Sequence, residues 1–442
     1  MTPRLAGDEL PGVQEVPTGP RSTALARRLA RVESPNITRL HPPPIFWTEA
    51  RGAAVRDADG NVYVDLTAGF GVAHAGHSNA AVVAAITRQA DTLCHALGDV
   101  YPPESKVRLL ERLAAIAPGD LTVSILASSG AEAVEAALKT AAIRTGRPGI
   151  VAFRGAYHGL TYGSLATTWR KDFREPFETQ LFSGVRFAPY PEADDDVGAA
   201  LERVREILRT AADTCPIGAV IVEPILGRGG IVVPPPGFLA GLRDICNGTD
   251  TLLIFDEVYT GCGRTGRWFA CEHEDVVPDV LVAGKALSGS IPLSAAIGTA
   301  DAMGGWPPST GEAIHTSTFL GNPIACEAAL AQLEAIEDGG LLQRSTELGQ
   351  RIRQRAATWP SRFGAGPVRG RGLIQGLPVS GEGRAIRIAE RCLDAGVLVL
   401  AEGPDAHVLA ITPPAVITDA QLDAALDVIE VALAADDPGA GA

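Results

Sequence analysis

Between about residue 80 and residue 300 the chain alternates between two hydrophobic periods. Segments such as "NAAVVAAITRQADTL" and "ESKVRLLERLAAIAP" space their apolar residues as one face of a helix. Between such segments lie short apolar runs: "TVSIL", "GIVAF", "IGAVIVE", "TLLIFDE", "DVLVAG" and "LSAAIG". Runs of that length read as buried strands. Buried strands interleaved with helices predict an α/β domain whose mostly parallel sheet is flanked by helices on both faces.

The flanking regions follow other patterns. "STALARRLARVE" predicts a short helix with Ser22 as its cap, and the "DADGN" turn inside "ARGAAVRDADGNVYVDLTAG" predicts a hairpin or meander. After residue 323 come a long helix, "VRGRGLIQGL", a helix around "GRAIRIAERCLDAG", short strands and a final helix in "DAALDVIEVALAA". At 442 residues the chain is long for one core. We expect an N-terminal arm and part of a smaller α/β domain over 1–65, a large domain over 66–322, and the rest of the smaller domain over 323–442. The opening stretch, rich in Pro and Gly, is expected to be a loosely ordered arm.

Composition narrows the class. A formal net charge of -14 argues against nucleic acid and anionic membranes, which attract Lys and Arg patches. No apolar run is long enough for a membrane span. The 7 cysteines include no CxxC pair, which predicts reduced thiols in a cytoplasmic protein and neither a disulfide framework nor a metal site. Only Lys106, Lys139, Lys171 and Lys285 are lysines among 38 basic residues, so each can be weighed singly.

Four features near predicted strand ends carry chemistry. In "LLIFDEVYTGCGRTG", Asp256 and Glu257 follow a buried strand, either facing a ligand beyond the sheet or capping the next turn. In "DVLVAGKALSG", Lys285 follows another strand among small residues, either a loop lysine or one able to lose its proton and form a Schiff base. In "LASSGAEAVEAALKTAA", a strand leads through Ser-Ser-Gly into a helix, an anion cup or an ordinary serine cap. In "FRGAYHGLTYGS", Tyr157 and His158 follow a fourth strand, where an aromatic ring can stack on a flat ligand or pack in the core. Together, a lysine, an acid, a phosphate cup and an aromatic specify pyridoxal phosphate.

With these motifs the chain resembles the class III pyridoxal-phosphate aminotransferases of the ornithine and 4-aminobutyrate group, of fold type I. The resemblance runs from "DADGNVYVDLTAGFGVAHAGH" through "SSGAEAVEAALK", "AYHG", "VEPILGRGG", "FDEVYTGCGRTG", "GKALSGSIPLSAAIG" and "TSTFLGNPIACEAAL" to "TPPAVIT". It implies that Lys285 forms the internal Schiff base and then shuttles a proton as general acid and base. Asp256 would pair with the pyridine nitrogen, with Val258 and Tyr157 on the two ring faces and His158 among the cofactor contacts. Ser129, Gly130 and Ala131 would hold the phosphate. Thr318 would reach the phosphate of a neighbouring subunit, which implies a homodimer with shared sites. Glu257 is expected to bond nearby backbone or to pair with Arg264.

Two positions depart from the family pattern. Tyr259 stands where a glutamine near the cofactor's 3-hydroxyl is usual. Ala410 stands where many members carry an arginine for an α-carboxylate. Without that arginine, Glu223 is free to meet Arg228 or a cationic substrate, and both are candidate substrate residues. The expected activity is amino transfer between an amine, amino acid or amino sugar and an aldehyde or ketone. A racemase or epimerase on the same fold is the alternative.

Overall fold

The computed structural model describes residues 3–14 and 17–436. Its central sheet has seven strands: β1 (Leu121–Ala127), β2 (Gly149–Phe153), β3 (Val185–Ala188), β4 (Ile217–Val222), β5 (Leu252–Asp256), β6 (Val280–Ala283) and β7 (Ser294–Thr299). They lie in the order β1-β7-β6-β5-β4-β2-β3. β7 pairs antiparallel with both β1 and β6, and the other pairings are parallel.

The two-residue period of the strands divides their side chains between two cores. Leu253 and Phe255 join Val220, Val222 and Leu281 against one helical layer, which includes Leu109, Leu113, Leu242 and Ile245. Leu252 and Ile254 join Ala219, Ile221, Val280 and Val282 on the other face. That second face meets Ala133, Val134, Ala136 and Ala137 of the helix Gly130–Thr145, whose small side chains let it approach the sheet closely. Every residue of β4, β5 and β6 is buried, as strands covered on both faces must be.

Two smaller sheets flank this unit. One joins Trp47–Arg51, Ala54–Asp57 and Val62–Asp65 to the C-terminal strand Val397–Leu398. The other is formed by Arg369–Arg371, Ile374–Pro378, Val408–Ile411 and Leu400–Glu402. A separate apolar cluster around Trp359, Leu348, Ile352, Ile388, Leu409 and Ile429 holds these elements together. Arg264 ties the cluster to the large sheet. Its buried guanidinium donates to the carbonyls of Leu373, Thr412, Pro413 and Gly71, and burial lowers its pKa to about 10.

Three details differ from the sequence reading. Ser22 does not cap the first helix. That helix runs Pro20–Leu29 with Gly19 at its cap, and the carboxylate of Asp59 accepts from the amides of Arg21 and Ser22 instead. Residues 3–14 are not a loose arm. Leu5 is buried, Gly12 bridges to Val62, and the Gln421 amide donates to the carbonyls of Gly7 and Glu9. β3 was not anticipated, because its four residues include two charge-flanked half-exposed positions and no run of apolar residues.

Arg264→Met would leave buried carbonyls without donors, and each such loss costs about 1–3 kcal/mol. We expect a clear fall in the urea midpoint of the cofactor-loaded protein, only partly recovered by Arg264→Lys. An unchanged midpoint would show that these bonds do not hold the two units together.

Candidate functional site

The parallel strands deliver their following residues to one edge of the sheet, where ligands bind in open α/β folds. Asp256 ends β5, Glu223 follows β4, Lys285 comes two residues after β6, Tyr157 and His158 follow β2, and Ser128–Ser129 follow β1. A cavity of about 350 Å³ opens there, lined by Gly130, Ala131, Tyr157, His158, Gly159, Leu160, Glu223, Arg228, Asp256, Val258, Tyr259 and Lys285.

Asp256 is 5 % exposed and fixed on both sides. One carboxylate oxygen accepts from the Val258 amide at 3.1 Å, and the other lies 2.8 Å from Nδ1 of His158. His158 is buried in turn, its amide donates to Thr168, and its Nε2 is a buried nitrogen without a partner among the described residues. Thus His158 orients the acid.

Lys285 opens a one-turn 3₁₀ segment with φ of 45°, a left-handed conformation uncommon for a side chain of this size. Its Nζ lies 3.8 Å from the centre of the Tyr259 ring. Burial drives its pKa down to about 8, against the opposing pull of Asp256, Glu223 and Glu402. Glu223 accepts from the amides of Tyr157 and Gly227, both at 2.9 Å. Burial and the nearby Asp256 charge nevertheless raise it to about 7, with His158 and the two amides pulling the other way.

Ser129 caps the helix Gly130–Thr145 through the Glu132 amide, and its carbonyl accepts from Ser294. A Cβ on Gly130 would sit 3.0 Å from Val258, so the glycine makes room for that side chain beside the helix start. Arg228 stacks over Tyr157 at 5.0 Å and Phe173 at 5.6 Å. Its ion partner, at 3.8 Å, is Glu402 and not Glu223. Glu257 accepts from the amides of Ala270 and Cys271 and from Thr260, so of the two expected roles the backbone one is found and the Arg264 pair is not. Ala410 is buried in an apolar cluster with Ile225, Ile231 and Ile374. Thr318 is exposed and outside the lining of the cavity.

Glu402 was missed by the sequence reading. It lies in "LAEGPDAH", far from every motif, and only the pairing of its strand with Val408–Ile411 brings it to Arg228. Among the described residues, no group of His, Cys, Asp and Glu is placed to hold a metal, and no helix is long and apolar enough to cross a membrane.

These residues suit pyridoxal phosphate. The lone buried Nε2 of His158, the fixed Asp256 carboxylate, the glycine at the helix start and a lysine with a lowered pKa are the groups such a cofactor needs.

Comparison with known proteins agrees. The family model described as Aminotransferase class-III matches residues 37–433. An acetylornithine aminotransferase of Methanosarcina mazei is 39% identical over 390 residues, covering 88% of this chain and 92% of the relative. A 4-aminobutyrate aminotransferase of Mycobacterium leprae is 35% identical, covering 94% of this chain and 96% of the relative. The structure of an ornithine aminotransferase from Toxoplasma gondii superimposes with a TM-score of 0.83 at 30% identity, covering 93% of this chain and 94% of that one. These matches give no support to the racemase or epimerase alternative.

The lowered pKa of Lys285 has a testable consequence. In cofactor-free protein the folded lysine titrates near 8 and the unfolded one near 10.5, so the unfolded state binds more protons between those values. Stability at this site therefore rises with pH across that window. Lys285→Met should be more stable than the parent at pH 7, with the gain shrinking as pH approaches 10.5. A pH-independent difference would contradict the shift.

Proposed function

The chain belongs to the class-III aminotransferases, enzymes that use pyridoxal phosphate, and we infer that it transfers an amino group from an amine or ω-amino donor through Lys285. It moves amino groups between small molecules. The observation that carries the finer reading is the meeting of Lys285 and Asp256 at adjacent strand ends in one cavity.

When bound, pyridoxal phosphate supplies an aldehyde for the incoming amine and a ring that spreads the electron pair left after proton loss. This chain's residues do the rest. Ser129, Gly130 and Ala131 would hold the phosphate at the helix N-terminus, where free amides and the helix dipole favour an anion. Asp256, braced by His158, would hold the ring nitrogen as a charged partner. Val258 and Tyr157, both lining the cavity, would confine the ring. Lys285 would carry the proton: its Nζ would take it from the carbon bearing the amino group and deliver it across the nitrogen to the carbon that the cofactor supplies. A pKa near 8 leaves a useful fraction of free amine at neutral pH while keeping the ammonium accessible.

Substrate choice rests on Arg228, Glu402 and Glu223. Arg228 is held over two aromatic faces and only loosely paired, so it can meet a carboxylate. Glu223 offers a buried acid to a second cationic group. The apolar setting of Ala410 favours donors without an α-carboxylate there. The exposure of Thr318 is consistent with its serving a partner's phosphate site, and we read the enzyme as a homodimer with shared sites. Free thiols throughout the chain fit a cytoplasmic location. The division at residues 66 and 323 is our reading of where the large unit begins and ends.

Mixing the loaded enzyme with single enantiomers of candidate ω-amines tests the reaction. We expect the cofactor spectrum to change from its aldehyde to its amine form with release of a carbonyl product. Loss of optical activity without that change would mean racemisation. Arg228→Ala should raise KM for keto-acid acceptors about tenfold or more, as loss of a charge-assisted contact of roughly 1.5–3 kcal/mol implies, while sparing simple amines. Equal effects on both would remove Arg228 from substrate binding.

A further inference from the structure

Tyr259 departs from the family pattern, and its setting shows what it does instead. The phenol hydroxyl donates to Oγ1 of Thr412 at 3.3 Å, which in turn donates to the carbonyls of Leu66 and Thr67. The hydroxyl is thus directed at the smaller unit. The ring lies between two glycines. A Cβ on Gly71, whose φ is 81°, would overlap the Cε2 edge, and a Cβ on Gly227 would sit 2.5 Å from Cδ1. Anchored at its tip and flanked at both edges, the ring has one face turned to Nζ of Lys285, 3.8 Å from its centre.

We propose that Tyr259 is a positioning residue for Lys285: its ring face seats the ε-ammonium during the protonated half of the proton transfer. This rests on the reading that Lys285 carries the proton. The face of an aromatic ring attracts an ammonium and is indifferent to a neutral amine. Nζ, on accepting a proton from the substrate carbon, becomes the cation that the ring holds. On releasing the proton it is freed from the ring. No other group is consumed, and the electron pair of the broken C–H bond stays with the substrate and cofactor. The charged groups that act on Lys285 are Asp256, Glu223, Glu402 and Arg228. The three acids favour the ammonium, but carboxylates hold a charge from any direction, whereas the ring fixes where Nζ sits. Burial, and to a lesser extent the Arg228 charge, lowers the pKa of Lys285 against the pull of the three acids, and a ring that holds the ammonium would oppose that fall.

The test follows the reactivity of Lys285 without turnover. Full-length protein loaded with pyridoxamine phosphate, in which the lysine is a free amine, is treated with an acylating reagent over a range of pH, and the Lys285 peptide is quantified by mass spectrometry. Tyr259→Phe keeps the ring and should keep the labelling midpoint. Tyr259→Leu removes the ring and should lower the midpoint by about half to one and a half pH units, the shift that loss of such a contact implies. Gly227→Ala retains the tyrosine but displaces its ring, and should lower the midpoint in the same direction, which covers the case of a Leu variant that does not fold. An unchanged midpoint in the folded Leu or Ala variant overturns the proposal. So does an equal fall in the Phe variant, which would transfer the effect to the hydroxyl. Turnover of the Lys285→Ala variant separates this from the underlying reading: a Lys285→Ala enzyme that still transfers amino groups defeats Lys285 as proton carrier, whatever Tyr259 does to the titration of Lys285 in the parent.

Discussion

Everything at this site depends on keeping charges together in a place with little water. Asp256, Glu223, Glu402 and Arg228 all act on the ionisation of Lys285, and isolated burial of any one of these charges would be costly. Each is placed so that a neighbour offsets that cost. His158 and the Val258 amide hold Asp256, two backbone amides hold Glu223, and Tyr157 and Phe173 hold Arg228. The balance is incomplete at Lys285, Glu223 and Glu402, whose pKa values stay displaced by burial, and an unfinished balance is what a reactive lysine requires.

The fold supplies this arrangement through strand ends and small residues. Parallel strands bring residues far apart in sequence to one edge, and the antiparallel β7 closes the sheet beside β1, where Ser294 bonds the carbonyl of Ser129. Gly130 admits Val258, and Gly71 and Gly227 admit Tyr259. A methyl group at any of the three would move a side chain that lines the cavity. Arg264 and the Tyr259–Thr412 contact then tie the site to the smaller unit, so the position of the second unit bears on the lysine as well.

The sheet was legible because its strands are short apolar runs between helical periods, and the site because its residues sit beside those runs. Asp256, Lys285, Tyr157 and Ser129 could all be placed at strand ends before any coordinate was known. Glu402 could not, since its importance arises from a strand pairing across the smaller unit and not from any local pattern. Nor could the ion partner of Arg228, because a sequence does not say which of two acids a long side chain will reach. Ser22 misled for a related reason: a serine beside Pro20 resembles a cap, but the acid that bonds those amides, Asp59, comes from a distant hairpin. Tyr259 was visible as a departure from the family pattern, yet the direction of its hydroxyl required the position of Thr412.

The central claim is that Lys285 is the residue to which the cofactor is joined. Reduction of the loaded enzyme with borohydride, followed by peptide mapping, tests it most directly. The account predicts a phosphopyridoxyl mass on the peptide containing Lys285 and none on those containing Lys106, Lys139 or Lys171. A tag on one of those three lysines, with Lys285 unmodified, would contradict it.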